Sequence, residues 1–237
     1  MSKYDRYKEE VLRCGQRLFA EGFNVGTSGN VSVLVEGEEA VAVTPSGRPY
    51  LDLSPADICV ARFDLGVIEG QWRPSVETGM HVAVYRGRPD AGAVIHTHQR
   101  YASVLAIIGK PLPPLFDDQA LNLGPGARLV PYAPSGTPDL AANVAAKLAD
   151  RANAYLLQSH GALVLGADLA EAYRNATLLE HCCRVYCDAL ATGSEVTPLP
   201  EQLAAALGFA LRAKQDAAAA RRSGPAEVPP ERPLPRL

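Results

Sequence analysis

The chain has 237 residues, 47% hydrophobic and 21% charged, with a formal net charge of -3. That length supports one substantial core, and the small, mixed charge excludes a broad nonspecific nucleic-acid surface while leaving room for a small anionic ligand. No apolar run approaches the roughly 20 residues of a membrane span, and no segment resembles a signal peptide, so a cytoplasmic protein with free thiols is expected at Cys14, Cys59, Cys182, Cys183 and Cys187.

Tyr7, Val11, Leu12, Leu18 and Phe19 recur at helical spacing, which predicts a helix over 5–21 capped by Asp5. Gly22 and Gly26 punctuate the next stretch, and 30–35 with 40–44 read as a strand pair joined by a polar turn. A short helical turn in 55–61 overlaps a strand near 58–63, and Pro74-Ser75 opens a helix that runs through Tyr85. A strand at 93–98, a helix at 101–108 ended by Pro111, Pro113 and Pro114, and a weaker helix at 117–123 come next. Strand 130–132 leads through Ser135-Gly136-Thr137 into helix 138–149. Short strands at 155–158 and 163–165 precede a long helix at 169–190 capped by Asp168, which contains Cys182 and Cys183 as small buried residues. An Ala-rich helix at 199–217 closes the folded part. The expected organisation is a single catalytic domain over 1–217 and a Pro- and Arg-rich flexible tail over 218–237.

The chemistry concentrates on Ala93-Val94-Ile95-His96-Thr97-His98. Residues two apart on a strand face the same side, so His96 and His98 can converge on one ion, and imidazole suits Zn²⁺, Fe or Cu. A histidine pair on an edge strand is the bland alternative, which the apolar flanks weaken. His160 follows an apolar strand and reads either as a third ligand or as a hydrogen-bonded turn residue. Glu77 reads either as a solvated helix carboxylate or as a metal-side acid/base. His81, one turn after Glu77, reads as a supporting residue, and His181 as a packing residue.

Three glycine- or hydroxyl-rich turns, Gly26-Thr27-Ser28-Gly29-Asn30, Thr44-Pro45-Ser46-Gly47 and Pro74-Ser75, offer backbone N–H groups and hydroxyls to an anion. Ordinary turn chemistry explains each alone. Together with the histidine pair they point to a small phosphorylated substrate. Neither GxxxxGK[ST] nor GxGxxG occurs, so a nucleotide is not indicated.

The runs GTSGNVSV, TPSGRPY, PSVETGMHVAVYRGRPDAGAVIHTH, PYAPSGT and QSHGALVLG, spread over about 5–210, resemble the zinc-dependent class II aldolase/adducin N-terminal family, in its sugar-phosphate aldolase branch. The resemblance implies a three-layer αβα fold with a central, mainly antiparallel sheet. It also implies a homotetramer with sites near subunit interfaces. It maps one Zn²⁺ per subunit onto Glu77, His96, His98 and His160, makes Glu77 the acid/base, and maps phosphate contacts onto Gly29, Asn30, Ser46, Gly47 and Ser75. Two departures stand out. The family's Ser-Ser-Glu is Ser75-Val76-Glu77 here, which loses a hydroxyl, and two family tyrosines are missing, since none follows Tyr186 and the earlier one falls at Asp117. Asp117, or Asp118, becomes the candidate acid, reaching the substrate across an interface, unless both simply cap the helix near 120. The implied reaction is cleavage of a small ketose phosphate through a metal-stabilised enediolate. Decarboxylation of a hydroxy or keto acid is the alternative, followed by epimerase, dehydratase and non-catalytic scaffold roles.

Overall fold

The strands of the chain are short, four to six residues in the interior of the sheet, and bounded by glycine and proline turns, a pattern that favours a meandering antiparallel sheet. The structure, a computed structural model, describes residues 2–224. It contains β1 (Asn30–Leu34), β2 (Ala40–Val43), β3 (Cys59–Arg62), β4 (Val67–Glu69), β5 (Ala93–Thr97), β6 (Arg128–Val130), β7 (Ala154–Leu157) and β8 (Gly161–Gly166). They form one sheet in the order β4-β3-β2-β1-β5-β8-β7-β6. Every pair is antiparallel except β6 with β7. The helices are α1 (Asp5–Ala20), α2 (Thr78–Gly87), α3 (Arg100–Ile107), α4 (Asp117–Asn122), α5 (Pro138–Ala145), α6 (Leu169–Ala191) and α7 (Glu201–Ser223).

Helices cover both faces of the sheet, and the period-two alternation of the strands sorts the side chains between them. Val31, Val33, Ala93 and Ile95 pack into one core with α1, α3 and α6. Val41, Val43, Val94, Leu163 and Leu165 pack into the other, with Met80 and Val84 of α2 and Leu140 and Val144 of α5. The three-layer α/β architecture with a mainly antiparallel centre is therefore as expected. All five cysteines are free thiols, with Cys182 and Cys183 buried in α6. Among the described residues no helix is long and apolar enough to cross a membrane.

Several local expectations change. Tyr4, not Asp5, is the residue preceding α1, and Asp5 is its first helical residue, accepting a hydrogen bond from the Ser2 N–H at 2.9 Å. Strand β6 ends at Val130 rather than starting there, because Pro131 cannot donate to a ladder. The short β4 lacks alternating apolar residues and leaves no readable signal in the sequence. At the C-terminus, α7 passes residue 217 and continues to Ser223 through the run Ala217–Ala220, whose intrinsic helix preference is the highest of any residue. The segment beyond residue 224 lies outside the described residues.

Candidate functional site

Register brings the site together. Asn30, the first residue of β1, pairs with His96 of β5, and His96 pairs in turn with Leu163 of β8. His96 lies on the α2 side of the sheet with Val94, and His98 follows just past the end of the strand. His160 sits in the β7–β8 turn, where Ser159 takes a left-handed backbone (φ 53°). Gly161 makes this approach feasible, since a side chain there would run into the Thr97 carbonyl and press on the rings of His96 and His98. The ligand atoms of His96, His98 and His160 lie within 4.8 Å of one another.

Glu77 is not in the body of a helix. Pro74 bridges to Pro45, and the Ser75 N–H donates to the Thr44 carbonyl at 3.0 Å, so this stretch is extended and α2 begins only at Thr78. Glu77 occupies the residue before the helix and is buried, 5% exposed, which removes the solvated-carboxylate reading. Its Oε2 accepts from Asn30 Nδ2 at 2.8 Å and its Oε1 accepts from Ser135 Oγ at 2.5 Å. Its oxygens also stand 3.3 Å from His96 Nε2 and 3.3 Å from His160 Nε2. Burial works against its ionisation, but the neighbouring imidazoles and the hydrogen bonds from Ser135 and Asn30 outweigh that and hold the carboxyl below its usual range.

The tautomer of His96 follows from its partner. A carbonyl oxygen only accepts, so the 2.9 Å contact with Ala162 O requires His96 Nδ1 to carry the hydrogen. Nε2 then presents a lone pair toward Glu77 and toward His98 Nε2, 3.0 Å away. Burial pushes the His96 imidazole down to about 3 and lowers His98 as well, so both are neutral near pH 7. The Nε2 lone pair of His96, the imidazoles of His98 and His160 and the Glu77 carboxylate thus converge on one point. Such a crowd of lone pairs is what a divalent cation relieves, and the donor set fits an imidazole-rich metal site.

Beside this cluster is a cavity of about 170 Å³. Its wall carries Gly29, Asn30, Ser46, Gly47, Ser75, Glu77, His98 and His160, eight of the ten positions singled out from sequence. His96 sits behind that wall, fully buried. The two glycines have left-handed backbones, Gly29 at φ 73° and Gly47 at φ 64°, which turn the chain around the cavity. Among the described residues no Lys or Arg lines it, so an anion there would rest on turn N–H groups and hydroxyls. Asp117 is elsewhere. It is exposed in the first turn of α4 and makes no hydrogen bond with any residue of the cluster. His181 is also exposed, with its ring 6.3 Å from that of Phe116.

Three functional neighbours escape a reading of the sequence. Ser135 reads there as part of a turn in the run PYAPSGT with no role of its own, although Pro134-Ser135-Gly136 repeats the tripeptide Pro45-Ser46-Gly47. Asn24 Oδ1 accepts from the His98 N–H at 3.2 Å and fills the space a side chain at Gly29 would need. Tyr50 donates from its hydroxyl to the Gly29 carbonyl at 2.8 Å and so steadies the first glycine turn.

Comparison with known proteins matches residues 9–187 to the class II aldolase and adducin N-terminal domain. The 5-deoxy-D-ribulose 1-phosphate aldolase of Bacillus thuringiensis is 35% identical over 194 residues, 82% of this chain and 90% of that protein. Among solved structures, an L-fuculose 1-phosphate aldolase superposes with a TM-score of 0.82 at 33% identity, covering 90% of this chain and 98% of its own. YgbL of Klebsiella pneumoniae, described as a putative aldolase/epimerase/decarboxylase, superposes with a TM-score of 0.77 at 28% identity, covering 87% and 100%.

Proposed function

The chain belongs to the class II aldolase and adducin N-terminal family, and from that premise we propose that it is a metal-dependent lyase. It would split a small ketose phosphate into a three-carbon keto-phosphate and an aldehyde. The observation that carries this reading is the meeting of Glu77 with three imidazoles at the edge of a cavity lined by turn N–H groups and hydroxyls. Relatives named for 5-deoxy-D-ribulose 1-phosphate and L-fuculose 1-phosphate support the substrate class.

His96, His98 and His160 would hold Zn²⁺, one ion per subunit. When bound, the cation supplies positive charge next to the electron pair released by carbon–carbon cleavage. Glu77 moves the proton. In the addition direction its ionised carboxylate takes a proton from the carbon beside the keto group. In cleavage it returns that proton to the same carbon. Asn30 and Ser135 aim the carboxylate by donating to its two oxygens. Gly29, Ser46, Gly47 and Ser75 would receive the phosphate. The acid for the aldehyde oxygen is assigned to Asp117, whose exposed carboxylate would reach a neighbouring cavity only in an oligomer; a cytoplasmic homotetramer is part of this proposal.

A second reading has its own observation. Val76 stands 64% exposed between Ser75 and Glu77, an apolar residue where a hydroxyl would strengthen a phosphate contact. Loss of CO₂ from a hydroxy or keto acid also leaves an electron pair beside a carbonyl, and needs a smaller anion site. The test is mass spectrometry of products after the Zn²⁺-loaded protein meets short ketose 1-phosphates and hydroxy-keto acids. Dihydroxyacetone phosphate with an aldehyde is the expected result. CO₂ without an aldehyde would transfer the assignment to a decarboxylase, and an isomer of unchanged mass to an epimerase.

A further inference from the structure

The three clustered imidazoles are not held equally. His96 has strand partners on both sides, Asn30 of β1 and Leu163 of β8, and its Nδ1 donates to the Ala162 carbonyl. His160 is fixed by the β7–β8 turn, where its N–H donates to the Leu157 carbonyl at 3.0 Å. His98 lies one residue beyond β5, outside the ladder. Its N–H is shared instead between the Phe23 carbonyl and Asn24 Oδ1, each 3.2 Å away, in the segment that joins α1 to β1. Among the described residues the one hydrogen-bonding contact of its ring is His96 Nε2, at 3.0 Å. A metal-ligating imidazole is normally oriented through its second nitrogen. His98 is oriented through its main chain, and Asn24 is the side chain that does it.

The same amide seats the first glycine turn. Asn24 is buried, and Gly29 (φ 73°) packs so closely on it that a Cβ there would overlap all three atoms of the amide group. The next residue, Asn30, donates to Glu77 Oε2. The orientation of the Asn24 amide follows from its partner. The His98 N–H only donates, so Oδ1 and not Nδ2 must face it. Nδ2 is then buried without a partner among the described residues, a costly arrangement. What offsets the cost is the bond to the His98 N–H and the surface that the amide presents to Gly29.

We propose that Asn24 is a positioning residue that joins the anion turn to His98, so that an anion seated at Gly29 and a cation seated on His98 each tighten the other. An anion on the turn orders Gly29 and, through it, the amide and the His98 N–H; the cation arriving second then meets a ligand already ordered. The gain is reciprocal by linkage. The proposal rests on the metal and anion reading of this cavity given above.

Zn²⁺ affinity against a competing chelator, with and without inorganic phosphate, tests it in wild type, Asn24→Ala and Asn24→Asp. Asn24→Ala should weaken Zn²⁺ binding by about 10- to 100-fold, the usual cost of removing a group that orients a metal ligand. Phosphate should tighten Zn²⁺ on the wild type by about 5-fold or more, and most of that gain should vanish in Asn24→Ala. Direct contact between phosphate and the ion is common to both proteins, so the difference between the two gains isolates Asn24. Asn24→Asp keeps the shape and the acceptor and should restore the gain. A measurement without any variant is hydrogen exchange of the His98 N–H in the metal-free chain, which phosphate should slow. A merely structural role would lower stability and leave the gain the same in wild type and Asn24→Ala. Equal gains, or a His98 N–H whose exchange ignores phosphate, would overturn the proposal. A wild type that shows the coupling but cleaves no ketose phosphate would remove the aldol reading and leave Asn24 in place. A wild type that binds no Zn²⁺ would remove the metal site and this proposal together.

Discussion

Ile95 and His96 are neighbours on the same strand and equally buried, both 0% exposed, yet they belong to different parts of the molecule. Ile95 faces α1, α3 and α6 and belongs to their apolar cluster. His96 faces the side of α2 and α5, where Asn30, Ser32, Glu77 and His81 are gathered. The sheet thus separates a face that holds the fold together from a face that can spare its polar groups for chemistry. The comparison also shows why burial alone does not identify a core residue. What distinguishes His96 is a second partner, the Ala162 carbonyl, that fixes one nitrogen and leaves the other available.

Substituting the two neighbours should break the comparison most sharply. His96→Ala is expected to lose bound metal and to lower turnover by about 10³-fold or more, equivalent to several kcal/mol of charge stabilisation. Ile95→Ala should retain metal but cost about 2–5 kcal/mol of stability, the usual penalty for emptying a packed aliphatic site. Elemental analysis and denaturant unfolding of both variants decide this. Normal metal occupancy in His96→Ala would remove it from the ligand set.

Glu77 and Ser135 sharpen the same contrast within the chemical face. Glu77→Gln keeps the size and the hydrogen bond from Asn30 but cannot take a proton, so kcat should fall by about 10²- to 10⁴-fold with most metal retained. Ser135→Ala leaves the carboxylate in place and removes the donor to Oε1. A loss of about 10- to 100-fold, again with metal retained, is expected for a residue that positions another. Wild-type turnover in Glu77→Gln would remove it as the acid/base.

The strands, helices and turns and the histidine pair are legible in the sequence because they depend on short-range regularities, whereas the layered fold and the full set of site positions are what the family resemblance implies. Period-two alternation in Ala93–His98 assigns His96 to a face with His98, and glycine turns mark the rim. The features that escape are those set by distant pairing. Glu77 reads as helical because Pro74-Ser75 resembles a helix start, but the bridge from Pro45 to Pro74 extends that segment and delays α2. Ser135 lies 58 residues from Glu77, and only the repeated Pro-Ser-Gly hints at a common role. Asp117 carries no local sign of what it faces, since its surroundings are solvent in a single chain.

The expected effect farthest from the reaction concerns His81, which has no exposed surface and does not touch the cavity. Its Nδ1 lies 2.7 Å from Ser32 Oγ, which lies 2.8 Å from the Tyr85 hydroxyl, while Nε2 has no partner among the described residues. Burial lowers this imidazole to about 4, although Glu77 pulls in the opposite direction. In the unfolded chain the same group titrates near its ordinary value of about 6.5. Between those values the unfolded state therefore binds the extra proton. Stability must fall as pH drops from about 6.5 toward 4, and this group's share of the fall is about 3 kcal/mol. Above 6.5 it contributes no pH dependence. His81→Gln should be destabilised at pH 7 through the loss of fit around Ser32, but its disadvantage should shrink by about that amount at pH 4. Unfolding of metal-free wild type and variant at both pH values measures the gap. A gap that stays constant would mean that His81 is charged in the folded protein, and that the polar face tolerates a buried cation one turn from Glu77.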